Sequence, residues 1–65
     1  MITINGNEII DAYNLKLSDL LIKEGYNLST IAVECNGSII PKISYGEKLL
    51  EDGDSLEVVS FVGGG

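Results

Sequence analysis

The 65-residue sequence has no histidine, one cysteine, one proline and only four basic residues. Without histidine the commonest general base is missing, and no Ser/His/Asp or Cys/His constellation can be assembled. A free-standing enzyme is therefore not expected, and no residue is assigned a catalytic role. The lone Cys35 cannot form an internal disulfide, which points to a reducing compartment. With no histidine beside it, it also leaves no ligand set for zinc or an iron–sulfur cluster, so no metal site is expected. Ten acidic residues against four basic ones give a net charge of -6 and a pI near 4.1. That balance disfavours nucleic acid, whose phosphates require a basic face. It suits solubility, or association with a complementary basic protein surface. No apolar run approaches the ~20 residues of a membrane-spanning helix, and no basic segment precedes a signal-type core. The expectation is a cytoplasmic protein that binds neither membrane nor nucleic acid.

What is present suffices for one small domain. A chain of this length buries only about 60% of the surface its unfolded form exposes, and is correspondingly marginal. The 45% apolar content nevertheless supports a core and excludes disorder on compositional grounds. Met1 to Asn5 alternates apolar and polar residues, the period of a half-buried strand. Asn5-Gly6-Asn7 is a turn signal, and Glu8-Ile9-Ile10-Asp11 reads as the returning strand, with its inward face undecided between two isoleucines.

Past the polar connection Tyr13 to Lys16 the period changes. Leu17, Leu20 and Leu21 form an apolar stripe at helical spacing, and Gly25 suits the residue just past a helix end. The helix is predicted over 17–24, with a poor N-cap in Lys16 and dependent on packing for its stability. Ile31 to Cys35 and Ser38 to Ile40 flank Asn36-Gly37 as a hairpin, and Pro41 ends its second strand. Residues 42–51 read as a turn or short 3₁₀ segment, with Tyr45, Leu49 and Leu50 covering the core edge. Asp52-Gly53-Asp54 is a tight turn, whose two carboxylates are too few for a calcium loop. Ser55 to Phe61 is the last strand. The order is ββαββ with a final strand, an α+β domain with one short helix across a sheet.

After Val62 only Gly63-Gly64-Gly65 remain. Three consecutive glycines arise by chance at a given place about 3 times in 10,000 at average usage. Glycine carries no side chain to clash in a narrow channel and takes backbone angles closed to other residues. Fully extended, residues 62–65 reach at most about 14 Å. Such a tail suits a terminal carboxylate that is activated inside a partner's site. In the last strand Glu57, Val59 and Phe61 share one face, and Leu56, Val58 and Ser60 the other. If Leu56 and Val58 face the helix, then Val59 and Phe61, with Val62 beyond, form an apolar docking patch beside the tail. Cys35, before a turn in a β-prone run, reads as a packed and inert thiol, and Tyr13, Tyr26 and Tyr45 as packing residues.

Taken in order, these features resemble a known family. They are the Asn-Gly hairpin, the short leucine helix, Ala32-Val33-Glu34 leading into Asn36-Gly37, Pro41-Lys42, Leu50, Asp52-Gly53-Asp54 and the chain-ending glycines. The whole chain is similar to the ThiS-type sulfur carriers of thiamine biosynthesis, of the ubiquitin-like β-grasp fold. The resemblance implies a mixed sheet of four to five strands over residues 1–62 and a flexible tail at 63–65. It implies that Gly65 carries the modified carboxylate, with Gly63 and Gly64 as spacers. An E1-like, ThiF-type adenylyltransferase would activate that carboxylate with ATP. A persulfide would then supply sulfur, and the resulting thiocarboxylate would serve a ThiG-type thiazole synthase. No cofactor of the chain's own is implied. A related carrier for molybdopterin synthesis or protein modification is one alternative, although the molybdopterin type often has prolines where this chain has Ser60-Phe61-Val62. A non-covalent β-grasp interaction module is another.

Overall fold

The computed structural model describes residues 1–12 and 14–61. Alternation of buried and exposed residues makes the two long strands. In β3 (Ile31–Cys35) Ile31, Val33 and Cys35 are buried while Ala32 and Glu34 are exposed. In β5 (Ser55–Ser60) Leu56 and Val58 are buried between exposed neighbours, as the period of two requires. With β1 (Ile2–Ile4), β2 (Asn7–Ile9) and β4 (Ser38–Ile40) they form one five-stranded sheet in the order β2-β1-β5-β3-β4. Only β1 and β5 run parallel; the other neighbours are antiparallel, so the sheet is mixed and β5 lies at its centre.

Helix α1 (Leu17–Lys23) buries Leu17, Leu20 and Leu21 against the inner face, at the spacing expected. Its weak start is explained by the tertiary fold. Lys16 offers no side-chain cap; instead the Leu17 amide donates to the Lys48 carbonyl and the Ser18 amide to the Tyr45 carbonyl, each at 2.8 Å. The segment after β4 thus satisfies two donors that a short helix leaves open. The other end closes as a Schellman turn. Gly25, at φ 91°, donates to Ile22 and Tyr26 donates to Leu21. Fully buried leucines hold the layers together, and truncating Leu20 to alanine should cost about 2–5 kcal/mol.

The structure resolves or corrects several expectations. The returning strand stops at Ile9, opposite Ile2; Ile9 packs against the core, Ile10 faces solvent, and Asp11 turns the chain at φ 60°. Tyr45 and Leu50 cover the core edge, but Leu49 is half exposed and contributes instead a backbone bridge to Lys16. Within 42–51 the 3₁₀ turn is Lys42–Ser44, and a second one at Leu28–Thr30 was not visible in the sequence. Its start is capped by the Asn27 side chain, which accepts from the Ser29 amide. The last strand ends at Ser60, one residue short of Phe61, and α1 ends at Lys23 with Glu24 as its cap.

Candidate functional site at the end of the central strand

Val62, Gly63, Gly64 and Gly65 lie outside the described residues, and with them the expected acyl site, the tail and the 62/63 boundary; Tyr13 does too. The strand leading to them is described, and it is fastened from both sides. On the β1 side the Thr3 amide donates to the Asp54 carbonyl and the Asn5 amide to the Leu56 carbonyl. There β1 turns away, and the Asn5 side chain continues the ladder. Its Oδ1 accepts from the Val58 amide at 2.8 Å and its Nδ2 donates to the Val58 carbonyl at 3.1 Å. On the other side Asn36 Oδ1 accepts from the Ser55 amide at 2.9 Å, while its Nδ2 donates to Asp54 at 3.0 Å.

Asn5 and Asn36 thus do more than turn the chain. Both sit at positive φ, 51° and 53°, where asparagine is tolerated, and both aim their amides at β5. The Asn-Gly signal locates the turns but says nothing of this second role, because the partner lies 53 residues away for Asn5 and 19 for Asn36. Asp54 is buried in the same network and also accepts from the Glu51 amide, so its carboxylate closes the turn. Asp52 instead pairs with the terminal ammonium. Among the described residues no group of three His, Cys, Asp or Glu side chains converges as a metal site.

Beyond Val58 the strand keeps β3 as its partner. The Phe61 amide carries the ladder one step past Ser60 by donating to the Thr30 carbonyl at 2.9 Å. Lys42 Nζ stands 5.7 Å from the centre of the Phe61 ring and donates to the Ser29 carbonyl at 3.0 Å. One cation therefore links both 3₁₀ turns to the last described side chain, an arrangement that sequence spacing did not show. Beside it lies an open hollow of about 450 Å³ bounded by Ser18, Leu28, Lys42 and Tyr45.

Val59, on the outer face, is 63% exposed, and Phe61, one residue past the strand, is 48% exposed, so both are open to a partner as the sequence reading expected. The face extends further than expected. Val59 pairs with Ala32, Glu57 with Glu34, and Glu34 with Ile39, which is 74% exposed. Cys35 faces the other way and is buried. Burial pushes its thiol above the ordinary range, Asp54 adds to the shift and Lys48 opposes it. A protonated, enclosed thiol is a poor nucleophile, in keeping with a packing role. Tyr45 belongs to the core and Tyr26 packs against it.

The ThiS family's sequence model matches residues 1–65, the entire chain. The chain belongs to the ThiS family. A thiamine biosynthesis protein (ThiS) from Geobacter metallireducens has the same fold, with a TM-score of 0.77 and 28% identity over 98% of this chain and 97% of that one. The mixed five-stranded sheet with one helix is therefore the β-grasp fold of ThiS. Among curated proteins, a thiazole synthase of Paramagnetospirillum magneticum is 41% identical over 64 residues, 98% of this ThiS-family chain. The chain spans about a fifth of the length of the thiazole synthases it matches. The uncharacterized protein ycf40 of Pyropia yezoensis is 36% identical over 98% of this chain and 90% of its own length. Among the described residues no helix is long and apolar enough to cross a membrane.

Proposed function

We propose that this ThiS-family chain is a sulfur carrier for thiamine thiazole synthesis, acting as a co-substrate of cytoplasmic enzymes and not as an enzyme itself. The observation that carries the reading is the family match over the full 65 residues, the closing Gly63-Gly64-Gly65 included. The chemistry is acyl activation. A Gly65 carboxylate oxygen attacks the α-phosphorus of ATP in an E1-like, ThiF-type adenylyltransferase, releasing pyrophosphate and leaving an acyl adenylate. The terminal sulfur of a persulfide attacks the acyl carbon and displaces AMP. A thiol then cleaves the acyl disulfide, leaving a thiocarboxylate on Gly65 and a disulfide on the donor. The thiocarboxylate passes its sulfur to a ThiG-type thiazole synthase. ATP belongs to the activating partner, and the chain needs no cofactor of its own.

The body serves recognition. Gly63 and Gly64 give the acyl end clearance, and Val59, Phe61 and Val62 contribute an apolar contact beside it. The thiazole synthases that contain a similar domain support that enzyme as the recipient. The test is mass spectrometry after incubation with an adenylyltransferase, ATP and a persulfide donor. The expected product is heavier by the exchange of one oxygen for sulfur, and is lost when Gly65 is deleted or extended. No adduct from a partner shown to be active would refute the assignment.

A further inference from the structure

The outer sheet face carries a charge pattern that folding alone does not favour. Glu34 and Glu57 are direct partners across β3 and β5, both exposed. Like charges directly opposite each other destabilise a sheet. Among the described residues neither carboxylate has an ion pair or a side-chain hydrogen bond. The four lysines, at 16, 23, 42 and 48, all lie outside the strands, whereas Glu8, Glu34 and Glu57 lie within them. The sheet's own charge is therefore wholly acidic. Around the Glu34–Glu57 pair the same face is apolar. Ile39 stands opposite Glu34, and Ala32 and Val59 form the next rung toward Phe61. A shallow depression bounded by Ala32, Glu34, Ile39, Glu57 and Val59 runs between them.

We propose that this face docks on thiazole synthase, with an arginine of the synthase reaching between Glu34 and Glu57 while Ile39, Val59 and Phe61 meet apolar side chains around it. The proposal rests on the sulfur-carrier assignment for its choice of partner. The face gives that partner's chemistry: apolar contact in the middle, positive charge opposite the glutamates. A guanidinium suits the position because its planar fork can donate to two carboxylates at once. Opposite side chains on one sheet face have Cβ atoms about 4.5–5.5 Å apart, close enough for one guanidinium to meet both. The two unpaired charges gain a counter-ion on binding, which ties the charge pair to association and not to folding. The face is also continuous with the strand end that carries the acyl tail, so docking there delivers the tail to the same enzyme.

The test measures binding of the full 65-residue chain to a thiazole synthase that has no carrier domain of its own, at several salt concentrations. The double variant Glu34→Gln/Glu57→Gln should bind at least tenfold more weakly at low salt, with a flattened salt dependence. Its thermal midpoint should equal or exceed that of the parent, which a merely structural role would not produce. Glu24→Gln, an exposed acid at the end of α1, should bind like the parent. Equal affinity and equal salt dependence for parent and double variant would overturn the proposal. So would an equal loss in Glu24→Gln, which would make net charge the cause. A parent chain that gains the thiocarboxylate but does not bind the synthase would overturn this docking while leaving the carrier chemistry standing. Failure to gain the thiocarboxylate would count against the assignment itself.

Discussion

Replacing Asn5 with alanine should destabilise the domain far more than its place in an exposed turn suggests. The substitution removes two hydrogen bonds to Val58, at 2.8 and 3.1 Å, in a partly buried setting. At about 0.5–1.5 kcal/mol each they account for roughly 1–3 kcal/mol. Residue 5 also sits at φ 51°, where a residue with Cβ and no local polar group costs about 1–2 kcal/mol. The sum is roughly 2–3.5 kcal/mol, taking the lower half of each range because water can reach part of the site. A 65-residue domain has about 3–10 kcal/mol in total at the usual stability per residue. The loss should appear in urea titrations followed by circular dichroism, and as a fall in Tm of roughly 10–25 °C. Asn5→Gly separates the two contributions, since glycine accepts the backbone angle but supplies no amide. It should lose the hydrogen-bond part only, and the Val58 amide should exchange faster in both variants. A loss in Asn5→Ala below about 0.5 kcal/mol, the scale of an ordinary surface change, would refute the idea that this side chain completes the β1–β5 ladder.

Asn36→Ala should show a loss of similar size by the same titration, because it removes bonds to Ser55 and Asp54 from a residue at φ 53°. Cys35 and Tyr45 both have folded values raised by burial above the ordinary 9.0 and 10.0, so the fold favours their neutral forms. Their contribution to stability is complete below those values and is lost as pH rises through the raised ones. Denaturation midpoints should fall above pH 9.0, and Cys35→Ala should flatten the start of that fall while still acquiring sulfur normally. Lys42→Ala should leave Tm within a few degrees but loosen the end of β5, read as faster exchange of the Phe61 amide. Lys42→Arg should restore protection, since guanidinium also stacks on aromatic rings.

The parts of the fold legible in the sequence were those set by local periodicity. The alternation in β3 and β5, the leucine stripe of α1 and the two Asn-Gly turns depend on residues close in the chain, and the structure has them as read. The parts that escaped depend on partners far away. Lys16 is a poor cap on any local reading, yet the helix starts there because carbonyls of Tyr45 and Lys48 come to its amides. Leu49 and Leu50 look alike in sequence; only the bridge from Leu49 to Lys16 decides which of them turns inward. The same holds for the site. Val59 and Phe61 were found from the period of their own strand, whereas Ile39, Glu34 and Lys42 join them only through register and tertiary contact.

On the proposed reading, a recognition face on β5 and an acyl end that follows it in sequence have a mechanical consequence. β5 is the central strand, held by β1 and Asn5 on one side and by β3 and Asn36 on the other. A partner that grips Val59 and Phe61 therefore grips a rigid element, and only the residues after Phe61 separate that grip from the Gly65 carboxylate. Four residues reach at most about 14 Å, so the reacting centre of any enzyme docked on this face must open within that radius. In the proposed carrier, tethering over this length would hold the carboxylate at a high effective concentration there. Under the proposed function the folded body could then bind modestly and still deliver its cargo, which would suit a carrier that must leave one enzyme and engage the next. A hydrophobic grip strong enough to work alone would slow that exchange, whereas charge attraction at Glu34 and Glu57 would raise the rate of encounter more than the lifetime of the complex.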